Sequence, residues 1–251
     1  MNYFKLSLFS LILLLSFTQT ASAFINVESI RKIKGEGFFG RSGLQASGQM
    51  GNTEKFTSQL STTGAYRFEK NELLYIGNYK YGTSAKEKDT NQGSGHLRHT
   101  WGYINPLAYE LFVQSEFDEF KELNSRNYLG GNLRFRLLAS DAHVVYAGLG
   151  TFYEIEDFAG LDEDKDHFRA NIYLSQVHNL SKTSSLFVTL YYQPQLDRMN
   201  NYRVRLQSGI DVQLTQVLSL SMTFNSSHDT GLPTGVKETD SDYLAGFTLT
   251  Y

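Results

Sequence analysis

The amino-acid sequence predicts an all-β fold, namely a transmembrane antiparallel up-and-down β-barrel of 12 strands. Three observations predict it: about a dozen segments alternate between apolar and polar residues, most of these segments are 9–13 residues long, and their connections alternate between short and long. A tilted membrane strand needs about 9–11 residues, whereas strands of soluble proteins average about 5–6. The length of the segments therefore favours a membrane barrel over a soluble β-sandwich.

The alternation is clearest in Tyr202–Leu214, which reads YRVRLQSGIDVQL. Its apolar residues fall on one face of an extended chain, whereas Arg203, Arg205 and Asp211 fall on the other. A charged side chain facing lipid near the membrane midplane costs about 2–4 kcal/mol. The charged face is therefore expected to face the barrel interior. A soluble sandwich would show the same alternation with its faces exchanged, so one strand alone does not separate the two folds.

The same pattern recurs along the chain. We predict strands at Phe38–Met50, Lys55–Phe68, Leu73–Tyr81, Gly93–Tyr103, Ala108–Phe117, Tyr128–Leu138, Val144–Glu154, Phe168–Val177, Ser185–Gln193, Tyr202–Leu214, Leu218–Ser226 and Asp242–Tyr251. Twelve is an even number, as expected for a bacterial single-chain barrel.

The connections between these strands differ in length according to their position. The short set is Glu69–Glu72, Ile104–Leu107, Ala139–His143, His178–Ser184 and Thr215–Val217. The longer, polar set is Gly82–Gln92, Asp118–Asn127, Ile155–His167, Pro194–Asn201 and Ser227–Ser241, with the short Gly51–Glu54 as its exception. Short periplasmic turns and longer outer loops are typical of outer-membrane barrels, so both chain ends are expected in the periplasm.

The amino terminus predicts export. Residues 1–23 have a basic start, an apolar run over Leu6–Phe17 and a small-x-small cleavage site at Ala21–Ala23, which is the pattern of a cleaved signal peptide. The run is shorter than the roughly 20 apolar residues that a membrane-spanning helix needs. We therefore predict a periplasmic segment at residues 24–36, a barrel at residues 37–251 and a location in the bacterial outer membrane.

Composition narrows the class of partner. The chain has no cysteine, three prolines, 16 tyrosines and 18 phenylalanines, and its formal net charge is −3 without a basic tract. Nucleic acid is therefore not an expected partner. The expected partners are outer-membrane lipid, lipopolysaccharide and, during biogenesis, the barrel assembly machinery. The sequence leaves the oligomeric state open.

The final segment supports assembly as an outer-membrane barrel. Asp242–Tyr251 alternates regularly and ends on the aromatic Tyr251. A terminal aromatic resembles the carboxy-terminal assembly signal of outer-membrane barrels, in which phenylalanine is usual. Tyrosines near strand ends are expected to form aromatic girdles at the membrane interfaces, namely Tyr81, Tyr103, Tyr109 and Tyr128.

The only functional chemistry that the sequence predicts is the lining of the lumen. The residues expected to face inward are Arg67, Lys80, Arg98, Glu110, Glu116, Arg134, Arg136, Glu154, Arg169, Arg203, Arg205 and Asp211. Two functions remain open. One is a narrow channel for small polar solutes, with a weak anion preference from the arginines. The other is a closed structural or interaction barrel that acts through its outer loops. Glu110 and Glu116 are expected partners of Arg134, and Asp211 is an expected partner of Arg203 and Arg205.

Neither an enzyme nor a cofactor is predicted. A phospholipase would pair serine with histidine, but no serine stands in a recognisable nucleophile motif, so no catalytic residue is assigned. The acidic run Asp162–Asp166 offers oxygen ligands for Ca²⁺. It lacks the spacing of an EF-hand loop, and a solvated outer loop is the favoured interpretation.

Several segments resemble a known family. They are Gly43–Thr53 (GLQASGQMGNT), Glu116–Phe120 (EFDEF), Arg126–Gly131 (RNYLGG) and Tyr146–Gly150 (YAGLG). These segments are similar to the salt-induced outer-membrane proteins, a domain-of-unknown-function family. The resemblance implies a surface-located barrel with a link to osmotic or salt stress. The family has no established activity, so the resemblance transfers no functional residue.

Overall fold

The computed structural model describes residues 35–51, 54–160 and 165–251. The predicted signal peptide, residues 24–34 and part of the acidic run lie outside this range. Twelve strands form one closed antiparallel barrel in which each strand pairs with its chain neighbours and β1 pairs with β12. The predicted 12-strand barrel is confirmed. The strands are β1 Gly37–Gln49, β2 Lys55–Phe68, β3 Asn71–Ser84, β4 Glu87–Trp101, β5 Leu107–Asp118, β6 Leu123–Ala139, β7 His143–Phe158, β8 Lys165–Asn179, β9 Ser184–Pro194, β10 Tyr202–Gln213, β11 Leu218–Asp229 and β12 Thr239–Thr250.

The two faces of the barrel wall differ as a membrane requires. On β6, the outward Leu129 and Leu133 are 56% and 38% exposed, whereas the inward Tyr128 and Arg134 are 7% and 2% exposed. Apolar side chains thus cover the outer surface and polar side chains fill the interior, the reverse of a soluble sandwich. No helix in the described ranges is long and apolar enough to cross a membrane.

The two ends of the barrel are distinguished by the chain. We call the end that carries Gly37, Tyr251 and the β2–β3 turn the terminal end, and the opposite end, with the β3–β4 turn, the loop end. Both described chain ends meet at the terminal end, because the backbone N–H of Gly40 donates to the carbonyl of Tyr251 at 2.8 Å and the reverse bond is 2.9 Å.

The strands extend further toward the loop end than their apolar alternation predicts. Predicted loops at Gly82–Gln92 and Asp118–Asn127 are wrong: the first is a tight hairpin that turns at Ala85 and Lys86, and the second is one 3-10 turn, Glu119–Lys121, between β5 and β6. Ala85 and Lys86 have φ of 51° and 67°, which suits a two-residue hairpin turn. Apolar alternation marks only the part of a strand that contacts lipid, so it ends before the hydrogen-bonded ladder does.

The interior also contains aromatic side chains. Phe112, Tyr128 and Phe152 form a buried cluster inside the barrel. The prediction that Tyr128 belongs to an interfacial girdle is therefore wrong, whereas Tyr109 is exposed on the outer surface. Tyr128 fits the girdle pattern in the sequence only because the predicted strand begins there. In the structure β6 begins five residues earlier, at Leu123.

Barrel closure rests on the last residue of the chain. The ring of Tyr251 lies over Gly40, where an added Cβ would meet it at 2.3 Å, and its hydroxyl is 3.1 Å from that of Ser42. The β1–β12 register runs only from Arg41↔Thr250 to Leu44↔Phe247. This short seam gives each contact at Tyr251 a large share of the closing interaction.

We expect deletion of Tyr251 to lower the yield of folded barrel sharply, because the deletion removes both backbone bonds to Gly40 and the ring that covers it. The measurement is the fraction of heat-modifiable protein in outer-membrane preparations. Tyr251→Phe keeps the ring and the backbone and serves as the control, with a yield close to that of the wild type. Normal folding of the deletion variant would contradict this role.

Candidate functional site in the barrel interior

A network of buried charges crosses the lumen. We call it the cross-lumen network, and its members are Arg126, Arg169, Arg203, Arg205, Glu116, Glu154, Glu156 and Asp229, joined by Tyr128. Several members are followed or preceded in sequence by an outward aromatic residue, as in Glu116–Phe117 and Phe168–Arg169. The network therefore lies inside the barrel at the level of an aromatic band on its outer surface.

The arginines of β10 carry the network across the lumen. Arg203 reaches Glu154 on β7 at 2.9 Å and Asp229 on β11 at 2.9 Å. Arg205 reaches Glu116 at 2.7 Å. Glu116 lies on β5, which is five strands away from β10 in the closed order of 12, so this ion pair joins nearly opposite walls.

The network is completed from β6 and β8. Arg126 contacts Glu116 at 3.0 Å, Glu156 at 2.5 Å and Asp229 at 3.1 Å. Arg169, which has no exposed surface, donates to Glu154 at 2.7 Å. The hydroxyl of Tyr128 donates to Glu116 at 2.7 Å.

The network is electrically balanced, since four guanidinium groups meet four carboxylates. Burying a charge is costly unless it is paired and hydrogen-bonded, and each of these charges has at least one partner within 3.1 Å. The arginines are therefore held by carboxylates of the wall, and their charge is not free to attract an anion. The expected anion preference loses its physical basis here.

Glu154 and Glu156 of the network, together with His167, have the types and spacing of metal ligands. The Nε2 of His167 lies 2.8 Å from Glu154, which joins His167 to the network. The residues around them do not fit a cation, because Arg169 and Arg203 already donate to Glu154 at 2.7 and 2.9 Å. Two adjacent guanidinium charges would repel a divalent ion from the same oxygens. We assign these side chains to the ion-pair network.

Apart from Lys80, the remaining predicted lumen residues lie nearer the terminal end. Arg67 pairs with Glu72 at 2.7 Å, and both are buried. Glu110 lies 3.4 Å from Arg98 and 3.7 Å from Arg134.

Asp211 and Arg136 also lie toward the terminal end. Asp211 pairs with Arg41 at 3.4 Å and accepts from Ser221 at 2.6 Å, so the expected pairing of Asp211 with Arg203 and Arg205 is wrong. Asp211 lies six residues from Arg205 and eight from Arg203 along β10, which is about 20 Å or more in an extended strand and too far for contact. Arg136 is half-buried on β6.

Sequence reasoning missed half of the acidic partners because it ended strands too early. Glu156, Asp229 and Asp240 lie in strand extensions beyond the predicted ends, and Arg126 was assigned to a loop. The signal was present: Glu154 and Glu156 keep the same two-residue phase, as do Ser227 and Asp229. Charged residues that keep the two-residue spacing of the inward face beyond the last apolar residue would have identified these strand extensions.

The lumen is divided into two unlike halves. The half between β4 and β9, which we call the packed half, is filled by the aromatic cluster and most of the network, and its cavities measure about 30 and 50 Å³. The half formed by β1–β3 and β10–β12, which we call the open half, has a cavity of about 100 Å³. Below it, a chamber of about 820 Å³ opens at the terminal end, and Arg41 and Asp211 line both spaces.

The open half is lined by neutral polar groups. The amides are Gln45, Gln59, Asn78, Gln207 and Asn225, and the hydroxyls are Ser61, Thr63, Ser221, Thr223 and Thr248. Its charged members, Arg41 and Asp211, neutralise each other. This half therefore offers hydrogen-bonding groups without net charge.

At the loop end, separate ion pairs cross the mouth of the barrel. Lys121 in the 3-10 turn reaches Asp240 on β12 at 2.7 Å, and below it Lys80 on β3 lies 3.9 Å from Asp242 on β12. At the rim, Asn91 and Lys88 donate to Glu119, and these hydrogen bonds lower its pKa. The open half is thus narrowed at the loop end by a few individual pairs.

The histidine rings do not pair with serine in the contacts they make. His96 is hydrogen-bonded to Gln114 at 2.9 Å, His228 to Thr239 at 2.8 Å, and His143 to His178 at 2.9 Å. His99 is outward and stacks on Trp101 with a centroid distance of 4.1 Å. These contacts give no support to a serine–histidine catalytic pair.

A closed antiparallel barrel with an apolar outer surface and a polar interior is the architecture of the outer-membrane β-barrel class. Within that class, residues 43–251 match the model of the family described as "Protein of unknown function, DUF481", and the chain belongs to this family. The link to salt induction is not part of that description. A search of curated protein sequences gives no significant match.

Solved structures with a similar fold are bacterial outer-membrane barrels. The NanC porin has a TM-score of 0.50 and 7% sequence identity, with 84% of this chain and 97% of that chain covered. The KdgM porin has a TM-score of 0.49, 10% identity, and 85% and 99% coverage. The translocator domain of the autotransporter NalP from Neisseria meningitidis has a TM-score of 0.49, 12% identity, and 90% and 92% coverage. At such low identity the likeness concerns the fold alone.

Replacing Glu154 with glutamine should destabilise the folded barrel by about 3–5 kcal/mol, because it leaves Arg169 and Arg203 without the buried carboxylate that they share. Urea unfolding of the refolded protein, followed by tryptophan fluorescence and heat modifiability, measures the change. The matched control is Glu119→Gln at an exposed ion pair, for which we expect no measurable change. Equal stability of Glu154→Gln and the wild type would show that the network does not hold the barrel together.

Proposed function

We propose that the protein is an integral outer-membrane β-barrel that passes small polar solutes through the open half of its lumen. The terminal end would face the periplasm and the loop end the cell exterior. The outer surface would contact outer-membrane lipid, the rim at the loop end would meet lipopolysaccharide, and the barrel assembly machinery would recognise β12 during biogenesis.

The observation that carries this proposal is the difference between the two halves of the lumen. A barrel that served only as a rigid body would be stabilised by packing all round, as small barrels are. Here the chamber of about 820 Å³ leads into a polar cavity of about 100 Å³ in the open half, while the packed half is locked by ion pairs. These cavities therefore support a solute path through the open half of the lumen and none through the packed half.

The lining also bears on ionic selectivity. Arg41 is paired with Asp211, and Lys80 lies beside Asp242, so positive and negative groups alternate along the open half in equal number. We expect little preference between anions and cations, in place of the weak anion preference that unpaired arginines would give. Passage of small neutral solutes would let the periplasm follow osmotic changes of the medium, which is how a role in salt stress would arise.

A closed structural barrel is the second candidate. It is favoured by the cross-lumen network and by the pairs Lys80–Asp242 and Lys121–Asp240 across the mouth. In both candidates the packed half is closed. In a channel the ion pairs of the open half separate to let a solute pass, whereas in a structural barrel they stay formed.

Bilayer conductance of the purified, refolded protein distinguishes the candidates. A channel predicts a small conductance for the wild type and a larger one for Lys80→Ala, because Lys80 extends from β3 toward β12 across the open half. Lys86→Ala, in the exposed β3–β4 turn, is the control and should conduct like the wild type. Silence of all three proteins would favour the closed barrel.

Orientation can be tested separately from transport. A tag inserted at the start of the Asp162–Asp166 run, in the chain that leads from the loop end of β7 to β8, should be labelled on intact cells. A tag in the β6–β7 connection at Ser140–Ala142 should be labelled only after permeabilisation, because that connection lies at the terminal end. The opposite pattern would reverse the proposed orientation.

A further inference from the structure

The open half contains polar atoms that have no partner. Lys80 and Asp242 are 3% and 1% exposed, and the Nζ of Lys80 and the Oδ1 of Asp242 are both buried without a hydrogen bond. The Nδ2 of Asn78 and the Oε1 of Gln207 are in the same situation. A buried polar group without a partner costs about 1–3 kcal/mol, so four of them in one region call for an explanation.

Asn225 connects three of these four groups. Gln207 donates to Asn225 at 3.0 Å, Asn225 donates to Asp242 at 3.4 Å, and Asp242 lies 3.9 Å from Lys80. Asn78 lies two residues from Lys80 on the same face of β3, about 6–7 Å along the strand. Asn78, Gln207 and Asn225 line the same cavity of about 100 Å³. The Lys80–Asp242 pair adjoins this lining through Asn225, and we call Asn78, Lys80, Gln207, Asn225 and Asp242 the ring.

The chemistry of the ring defines its ligand. The ring holds two donors without a hydrogen bond, on Lys80 and Asn78, and two such acceptors, on Asp242 and Gln207. The ammonium and the carboxylate cancel in charge, and hydroxyl groups of Ser61, Thr63 and Thr223 continue the lining below. These donors and acceptors fit an uncharged ligand whose groups can each donate and accept hydrogen bonds.

We propose that this ring is a binding site for a small, uncharged, polyhydroxylated solute such as a short polyol. A hydroxyl group donates one hydrogen bond and accepts others, so adjacent hydroxyls of one molecule match alternating donors and acceptors. The cavity of about 100 Å³ favours a small ligand, and a four-carbon polyol can extend toward the chamber, which shares Arg41 and Asp211 with the cavity. This inference deepens the proposed function, because the site lies on the proposed solute path.

The absence of cysteine from the chain makes a direct test possible. Thr223→Cys places a single thiol on the cavity wall, on β11, where its reaction with a small water-soluble methanethiosulfonate reagent reports access from water. We expect erythritol to slow this reaction by about threefold at twice its dissociation constant, by simple mass action. Ser181→Cys, in the exposed β8–β9 connection at the chamber, is the control for viscosity and reagent reactivity and should be unaffected.

A second substitution ties the protection to the ring. Asn78→Leu removes one unpartnered donor and adds apolar surface, so in the Thr223→Cys background it should abolish protection by erythritol while labelling continues. Gln207→Leu removes an acceptor from the opposite wall and tests the same point if Asn78→Leu fails to fold, as judged by heat modifiability. Both variants leave the cross-lumen network intact.

The possible outcomes separate this inference from the proposed channel. Protection by erythritol in a barrel that does not conduct would support the site and remove the channel. Conduction without protection by any polyol, or protection by glycine or chloride but not by erythritol, would overturn the site and leave the channel standing. Lack of labelling at Thr223→Cys would show that water does not reach the cavity, and would overturn the site as well.

Discussion

The pairing of buried charges inside the barrel is the constraint on which the rest of the structure depends. A membrane surface forces apolar side chains outward, so the polar half of each strand's alternation is enclosed in the lumen. Enclosed charges are tolerated only as partners of one another. Arg203 and Arg205 on β10 consequently reach carboxylates on β7, β11 and β5, and these contacts link walls that lie apart in the closed strand order.

This constraint explains why the two halves of the lumen differ. The network joins β10 to β5 and β7, and the aromatic cluster of Phe112, Tyr128 and Phe152 adjoins it through the hydrogen bond from Tyr128 to Glu116. On the other side, β1–β3 and β12 contribute amides and hydroxyls, which need no charged partner and can accept a solute in place of protein contacts. The asymmetry of the lumen thus arises from the distribution of charged and neutral inward residues among the strands.

The sequence predicts the fold better than the site, for one physical reason. Lipid contact imposes a strict apolar phase, so all twelve strands were identifiable from residues such as Tyr202–Leu214. Beyond the lipid both faces of a strand become polar, so the apolar alternation no longer marks the strand. The predicted β7 therefore ends at Glu154 and the predicted β11 at Ser226, before Glu156 and Asp229. Those omitted residues are the partners of the arginines, so the predicted interior carried an excess of positive charge that the folded barrel does not have. Pairing across the lumen also depends on barrel closure, which no local pattern contains.

Charge counting along strands and charge pairing in space lead to different functional conclusions. Eight basic against four acidic inward residues suggested a lumen that attracts anions, yet each arginine of the network lies within 2.9 Å of a buried carboxylate. Among the buried polar atoms that have no hydrogen bond, four lie together in the open half, on Asn78, Lys80, Gln207 and Asp242. A fully satisfied group has little to offer a solute, because contact with it must first break an existing bond, whereas an unpartnered buried group gains the whole interaction. Recognition in this barrel is therefore to be sought among its neutral side chains and the Lys80–Asp242 pair, and the conspicuous arginines are best understood as the structure that holds that surface in place.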